Sequence, residues 1–260
     1  MRLTVIGAGP AYTNRRGSVG SCYLVRAGGA ALLLDLGQGA LPNLFASIDP
    51  ADLDGIAITH LHPDHFVDLV PLRHYLRFEF DPPRTAVVVG PAALAARLDG
   101  LQGAAGWAAG SFDLSPLVEG VRRIGPLEVE ARHVTHSEDS YSLRVSDPVS
   151  GGAGSEVQGA PTLTGLVYSG DCGRADDLVP LIRPGDTLLA EASFGAGPMP
   201  VEHMHLTAGD AARAAAAGGA GRLLLTHLQM GYSRAEALDA ARAIFDGPVR
   251  FVTEGDELEV

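Results

Sequence analysis

The feature that most constrains this chain is a cluster of metal-binding residue types directly after an apolar strand. Residues 56–59 (IAIT) are typical of a buried β-strand, and HLHPDH follows at positions 60–65. Imidazole nitrogens and carboxylate oxygens are donors that zinc, manganese and iron accept in proteins. The alternative is a polar loop with solvated histidines, but three His and one Asp within six positions favour a metal site.

The spacing within this cluster indicates two neighbouring metals. In an extended segment His60 and His62 project to the same side, so both can bind one ion. Asp64 and His65 come where the chain turns into a helix, and they can point at a second ion beside the first. Four residues cannot complete two sites, so more ligands must come from elsewhere in the chain.

Three further candidates each follow a predicted strand. They are His136 in HVTHSEDSY, Asp171 in VYSGDCG and His227 in LLLTHLQ. Ligands at strand ends are held on a rigid sheet, as a preorganised site requires. Asp171 can bridge two metals because a carboxylate has two oxygens. Taken singly, His136 or His227 could equally be a capping or core residue.

Composition narrows the class of substrate. Asp and Glu outnumber Lys and Arg by 31 to 19, the formal charge is −12, and every basic residue is Arg. A surface of this kind repels polyanions, so a broad nucleic-acid footprint is not expected. Arg15 and Arg16 are the best local phosphate contacts. Two cysteines cannot form a disulfide framework, and neither a signal peptide nor a membrane-spanning segment is evident, which favours the cytoplasm.

The order of elements predicts a single domain over residues 1–260, with sheets inside and helices outside. Strands are expected at 2–6, 20–26, 31–35, 56–59, 86–89, 118–124, 127–134, 141–145, 163–168, 187–191, 222–226 and 249–252. Helices are expected at 41–48, at 66–76, 91–98, 174–182, 208–217 and 233–244. Residues 100–110 and 147–161 are predicted to be loops.

The N-terminal GAGPA is similar to the glycine-rich turn of a dinucleotide-binding fold. That turn needs a third Gly three residues after Gly9, where this chain has Tyr12. Gly7 and Gly9 are therefore predicted to form a tight loop.

Taken together, these motifs resemble the metallo-β-lactamase superfamily along nearly the whole chain. The resemblance implies an α+β fold, an αββα sandwich with its metals at one edge of two sheets. It also implies the ligand sets of two divalent metal ions, with zinc expected and manganese or iron as alternatives. The first set is His60, His62, His136 and Asp171, and the second is Asp64, His65, Asp171 and His227.

Within the superfamily the chain resembles ribonuclease Z, which cleaves tRNA at its 3′ end. The likeness lies in AEASF at 190–194, HMHLTA at 203–208, LTH at 225–227 and DLGQGAL at 35–41. It implies that Glu191 and His205 assist proton transfer beside the metals. Ribonuclease Z carries a long arm that clamps tRNA. This arm is inserted in the chain between the positions that match His136 and Asp171. Here that interval is short, and residues 147–161 contain no basic residue.

The predicted function is a hydrolase that cleaves a small phosphodiester with a metal-activated water. Asp64 is expected to orient that water and His205, held by Glu191, to protonate the leaving alkoxide. The alternatives are tRNA 3′ processing, hydrolysis of a lactone, thioester or sulfate ester, a one-iron oxygenase, and a non-catalytic metal-binding protein. No membrane partner is expected, and a homodimer is left open.

Overall fold

The computed structural model describes residues 1–137, 139–148, 164–200 and 204–260, and the backbone of 156–157 and 160–161. Its strands are β1 Arg2–Gly7, β2 Cys22–Ala27, β3 Ala30–Leu34, β4 Gly55–Ala57, β5 Ala86–Gly90, β6 Phe112–Pro116, β7 Gly120–Ile124, β8 Leu127–His133, β9 Tyr141–Ser146, β10 Glu156–Val157, β11 Ala160–Pro161, β12 Leu166–Tyr168, β13 Thr187–Glu191, β14 Arg222–Thr226, β15 Val249–Phe251 and β16 Glu257–Glu259. Its α-helices are α1 Leu41–Phe45, α2 Pro63–Phe66, α3 Leu69–Phe78, α4 Leu94–Gln102, α5 Ala175–Leu178, α6 Ala208–Gly218 and α7 Arg234–Arg242.

Two seven-stranded mixed sheets form the centre of the molecule. The first has the order β16-β1-β2-β3-β4-β5-β6, and the second β15-β14-β13-β12-β9-β8-β7. Strands β3 to β6 run parallel, as do β12 to β15. The carboxyl ends of neighbouring parallel strands meet at one edge of a sheet, so the residues that follow them are brought together.

Alternating apolar residues give each sheet two buried faces. In β14, Leu224 packs in the core between the sheets, whereas Leu223 and Leu225 pack against α6 and α7. In β2, Tyr23 lies between the sheets and Leu24 faces the helices that cover the first sheet. Strand side chains alternate with a period of two, so each sheet buries one face against the other sheet and the opposite face against helices. The result is four layers, helices, sheet, sheet and helices, with a hydrophobic core between each pair of neighbouring layers. The predicted αββα sandwich is confirmed.

The predicted elements differ from the structure mainly at the sheet edges. Strands β6 (FDLSP) and β16 (ELE) were not predicted, because polar residues and a Pro lower β propensity and both strands are half-exposed edges. Helix α4 ends at Gln102, with Gly103 as its left-handed cap, so the predicted loop at 100–110 begins too early. Within the predicted loop 147–161, β10 and β11 pair as a short ribbon, and residues 149–155 and 158–159 lie outside the described residues. Among the described helices, none is long and apolar enough to cross a membrane.

The N-terminal glycines form the tight loop that was predicted. Gly9 donates its backbone N–H to the Val19 carbonyl, and a Cβ on Gly7 would lie 1.9 Å from the carbonyl oxygen of Gly20. The segment after Gly9 contains no helix before β2.

Candidate metal centre

The first sheet supplies four histidine and aspartate side chains at the end of β4. His60 is fully buried, and His62 is extended (φ −80°, ψ 142°) immediately before α2, which contains Asp64 and His65. The Nε2 atom of His60 lies 3.1 Å from Nδ1 of His62. As the sequence predicts, His60 and His62 lie in the extended segment after β4, and Asp64 and His65 lie in the helix that follows it.

Close backbone packing fixes the turn that carries Asp64. Its carbonyl oxygen accepts the backbone N–H of Ser21 at 2.8 Å. A Cβ on Gly37 would lie 1.9 Å from the same oxygen, so a larger residue at this position would displace α2. The early loop DLGQGAL is therefore tied physically to the histidine cluster.

Asp35, for which no role was predicted, is hydrogen-bonded to residues of the histidine cluster. Its side chain is completely buried, and its backbone has a left-handed φ of 58°. The carboxylate accepts the backbone N–H of Thr59 at 2.7 Å, the Thr59 hydroxyl at 2.9 Å, the Nδ1–H of His65 at 2.7 Å and the Tyr168 hydroxyl at 2.7 Å. A strained backbone held by four hydrogen bonds is typical of a functional site.

The second sheet supplies His136 after β8, Asp171 after β12 and His227 after β14. All three are at least 95% buried, and His227 has a left-handed φ of 59°. Its backbone N–H donates to the Ala8 carbonyl at 3.1 Å, which links the last strand end to the N-terminal loop. Three strand ends from one sheet therefore face the turn that follows β4 in the other.

Asp171 lies between two groups of side chains. Its Oδ2 is 3.6 Å from Nε2 of His60 and 3.7 Å from Nε2 of His136, and its Oδ1 is 3.3 Å from Nε2 of His65 and 3.5 Å from Nε2 of His227. The side chains form two sets, and within each set the possible ligand atoms all lie within 4.8 Å of one another. The first set is His60, His62, His136 and Asp171, and the second is Asp64, His65, Asp171 and His227. These are the two sets that the resemblance implied.

Hydrogen bonds fix the tautomers of the buried histidines. His65 donates its Nδ1–H to Asp35, and His136 donates its own to the Met204 carbonyl at 2.7 Å. The Thr59 hydroxyl, which donates to Asp35, accepts the Nδ1–H of His60 at 3.1 Å. These bonds leave the Nε2 lone pairs directed at the centre, which is the arrangement that metal-binding imidazoles need.

The donor atoms fit a bound cation. The Nδ1 atom of His62 is 3.1 Å from Nε2 of His60 and 3.0 Å from Nε2 of His136, and lone pairs this close repel unless a cation lies between them. Nε2 of His65 and Oδ1 of Asp171 are buried with no hydrogen-bond partner among the described residues. Such orphaned atoms are rare unless an ion or water satisfies them.

The electrostatics of the site differ between the two groups, and neutral imidazoles are favoured only in the first. Burial lowers the pKa of His60 well below its ordinary value, and burial also lowers the pKa values of His62 and His136. Burial acts to lower the pKa values of His65 and His227, but the charge of Asp171 outweighs it and raises both. Burial acts to raise the pKa of Asp171, but the charges of His227 and His65 outweigh it and hold the pKa well below its usual range. Neutral nitrogens and an ionised carboxylate are the protonation states in which these groups bind metals.

Glu191 and His205 form a pair beside these two groups. Fully buried Glu191 accepts the Nδ1–H of His205 at 2.9 Å, the backbone N–H of Cys172 at 2.8 Å, and both the backbone N–H (3.2 Å) and the hydroxyl (2.5 Å) of Ser193. Burial opposes a positive charge on His205, but the charge of Glu191 raises its pKa to about 9. Bound cations would lower that value, because positive charges disfavour one another.

A pocket of about 300 Å³ opens above the two groups. The residues that line it are Pro10, Ala11, Tyr12, His62, Pro63, Asp64, Asp171, His205, His227 and Gln229. No Arg is among these described lining residues, and His205, with its raised pKa, is a lining side chain that can carry positive charge. The pocket and the histidine clusters form one site.

Comparison with known proteins identifies the family. The family model described as the β-lactamase superfamily domain matches residues 33–228, a range that contains every residue of both candidate ligand sets. The chain belongs to the β-lactamase superfamily.

Several known proteins are similar to the chain over nearly its full length. A protein of Mycobacterium leprae described as uncharacterized protein ML1173 is 34% identical over all of this chain and 89% of its own. The ribonuclease Z of Bradyrhizobium sp. is 30% identical, covering 91% of this chain and 92% of its own. The crystal structure of YhfI, a metallo-β-lactamase fold protein of Bacillus subtilis, superposes with a TM-score of 0.83 at 25% identity and covers 99% of both chains.

Arg15 and Ser193 have contacts in this site that the sequence did not predict. Arg15 was interpreted as a phosphate contact, but its guanidinium donates to the carbonyls of Leu228 and Gln229 at 2.6 and 3.3 Å. It therefore fixes the loop after His227. Ser193 was part of the AEASF motif but was given no role of its own; its Oγ lies 3.0 Å from Nδ1 of His227.

Proposed function

We propose that this protein is a metal-dependent hydrolase that cleaves small phosphodiesters. The observation that carries the proposal is the Glu191–His205 pair beside two groups of metal-ligand type. Alkoxide leaving groups depart poorly without a proton, so a diester gains more from a placed acid than a lactone or thioester does. A non-catalytic metal-binding protein would not need this pair.

The proposed ligands divide between two cations as the geometry groups them. One cation would be held by His60, His62, His136 and Asp171, and the other by Asp64, His65, Asp171 and His227. Imidazole and carboxylate donors suit zinc, and manganese or iron accept the same set. Two divalent cations in such a site lower the pKa of water toward about 7 and polarise a phosphoryl oxygen. A one-iron oxygenase would leave Asp64 and His65 without a role as ligands.

The protein's own residues supply orientation and proton transfer in this proposal. The Oδ2 atom of Asp64 lies 3.1 Å from Nε2 of His227, and both residues line the pocket, where a carboxylate can accept a hydrogen bond from the attacking water. His205 also lines the pocket, and its Nδ1–H is committed to Glu191. Its Nε2 is therefore the atom that delivers a proton to the leaving alkoxide. Such a transfer contributes about 10²- to 10⁴-fold to the rate.

The size and charge of the protein favour a small substrate. A pocket of about 300 Å³ accepts a compact diester. Tight tRNA binding depends on many Lys and Arg contacts with phosphates, whereas this chain has a formal charge of −12. Processing of tRNA is the second candidate, because a ribonuclease Z is 30% identical along nearly the whole chain.

A substrate panel tests the proposal. The zinc- and manganese-loaded protein is assayed on chromogenic phosphodiesters, phosphomonoesters, lactones, thioesters and sulfate esters, with Asp64→Asn as the inactive control. We expect the highest kcat/KM for a phosphodiester and its loss in the Asp64 variant. A higher kcat/KM for any of the other ester classes would overturn the phosphodiester assignment.

A further inference from the structure

Ser193 lies between the second metal group and the proton-transfer pair. It follows β13 by two residues, and its side chain is completely buried. Its hydroxyl lies 2.5 Å from Oε2 of Glu191, 3.0 Å from Nδ1 of His227 and 3.3 Å from Nδ1 of His205. One oxygen atom therefore contacts all three residues.

The hydrogen atoms at this contact can be assigned from the chemistry of the groups. A serine hydroxyl has one proton to donate and two lone pairs that accept. Ionised Glu191 can only accept, so the Ser193 proton goes to Oε2, and the short distance fits a hydrogen bond to a charged acceptor. The lone pairs of Ser193 then accept from His227, which must carry its proton on Nδ1. Nε2 of His227 then faces the carboxylates of Asp64 and Asp171, at 3.1 and 3.5 Å, and is the nitrogen that would bind a cation placed between them.

We propose that Ser193 is a positioning residue that serves both halves of the site at once. It fixes His227 in the tautomer that presents Nε2 to a cation, and it holds the Glu191 carboxylate beside His205. The inference rests on the proposed function for its link to turnover, but its effect on His227 and on metal binding is independent of the substrate.

Removal of the hydroxyl has two expected consequences. In Ser193→Ala the Nδ1–H of His227 loses its acceptor at a buried position, so the ring gains an alternative tautomer and orientation. Loss of an outer hydrogen bond to a metal-binding residue reduces metal affinity about 10- to 100-fold. Glu191 keeps three of its donors, the N–H groups of Cys172, of residue 193 and of His205, so the carboxylate keeps most of its hydrogen bonds.

Zinc binding by the metal-free protein tests this proposal without any substrate. Competition with a chromogenic chelator gives the two dissociation constants for the wild type and for the Ser193→Ala, Ser193→Thr and Ser111→Ala variants. Ser111 is the matched control, because it is also fully buried and its hydroxyl has no hydrogen-bond partner among the described residues. We expect the dissociation constant of the weaker zinc site to rise about 10- to 100-fold in Ser193→Ala. Ser193→Thr, which retains a hydroxyl, should restore it, and Ser111→Ala should bind as the wild type does.

A spectroscopic measurement separates positioning from a general loss of structure. Histidine ring ¹⁵N NMR of zinc-loaded protein should show His227 protonated on Nδ1 in the wild type, and that proton should exchange faster with water in Ser193→Ala. Unchanged zinc constants, or an unchanged His227 signal in Ser193→Ala, would overturn the proposal. If these effects are found but no phosphodiester is cleaved by the wild type, the proposed function fails and the role of Ser193 stands.

Discussion

Replacement of His205 by Ala tests the assignment of the proton donor most directly. The side chain is 20% exposed, its Nδ1 is tied to Glu191, and it lies in the wall of the pocket. The variant keeps three N–H and O–H donors on the Glu191 carboxylate, from Cys172 and Ser193, so no buried charge is left uncompensated. We therefore expect His205→Ala to fold and to bind two metals as the wild type does.

The expected loss of rate depends on the leaving group. Without the acid, turnover of a diester with an alkoxide leaving group should fall about 10²- to 10⁴-fold, which corresponds to about 3–5 kcal/mol in the activation free energy. A nitrophenolate leaves without a proton, so the loss on that diester should be less than about tenfold. The assay compares kcat/KM on both diesters, together with metal content by mass spectrometry.

The matched control is His74→Ala, because His74 is exposed on α3 and its Nδ1 donates to the Val70 carbonyl. This variant should leave both rates unchanged. Equal losses on the two diesters in His205→Ala would refute the reasoning. His205 also forms a third group of ligand type with Glu191 and His227, so loss of a metal would instead identify it as a ligand.

Three further predictions concern the bridge, the substrate and the core. Asp171→Ala should retain less metal than His227→Ala, because Asp171 contacts both groups and its loss removes the negative charge between two cations. Mass spectrometry measures the metal content of both variants, and two ions retained by Asp171→Ala would exclude the bridge. Precursor tRNA should be cleaved with a lower kcat/KM than a small chromogenic diester at near-physiological salt, and preferential cleavage of tRNA at its 3′ trailer would contradict this. Arg144→Met should reduce the free energy of unfolding by about 3–5 kcal/mol, because it leaves buried Asp186 without its bidentate partner, and a thermal melt should fall by about 10 °C. A melting temperature within about 2 °C of the wild type would contradict it.

Much of the site could be predicted because its chemistry is concentrated in short motifs. HLHPDH combines an apolar strand with four donor side chains, and few structural roles require that combination. His136, Asp171 and His227 were predicted from a weaker signal, the position after a strand, and the structure brings all three to the same place. Their assignment as ligands stays a prediction, which the metal measurements test.

The roles of Asp35, Ser193 and Arg15 could not be predicted, because each depends on its neighbours in space. Asp35 acts through contacts with the ends of β4 and β12, and Arg15 through carbonyls more than 210 positions away in the chain. A single Asp, Ser or Arg in a loop has many ordinary explanations. The edge strands β6 and β16 were missed for a similar reason, since pairing with one neighbour stabilises residues whose own β propensity is low.

The division of each ligand group between the two sheets has a consequence for how the protein is made. A growing chain that has emerged only as far as β6 contains the HLHPDH motif but none of His136, Asp171 or His227. Such an intermediate holds two donors of each ligand set, His60 and His62 of one and Asp64 and His65 of the other, and would therefore bind a cation only weakly. Each ligand set is complete only when β8, β12 and β14 are in place, because His136, Asp171 and His227 follow these strands. Ions bound there would oppose unfolding by mass action, so loading with metal would report that both sheets are complete.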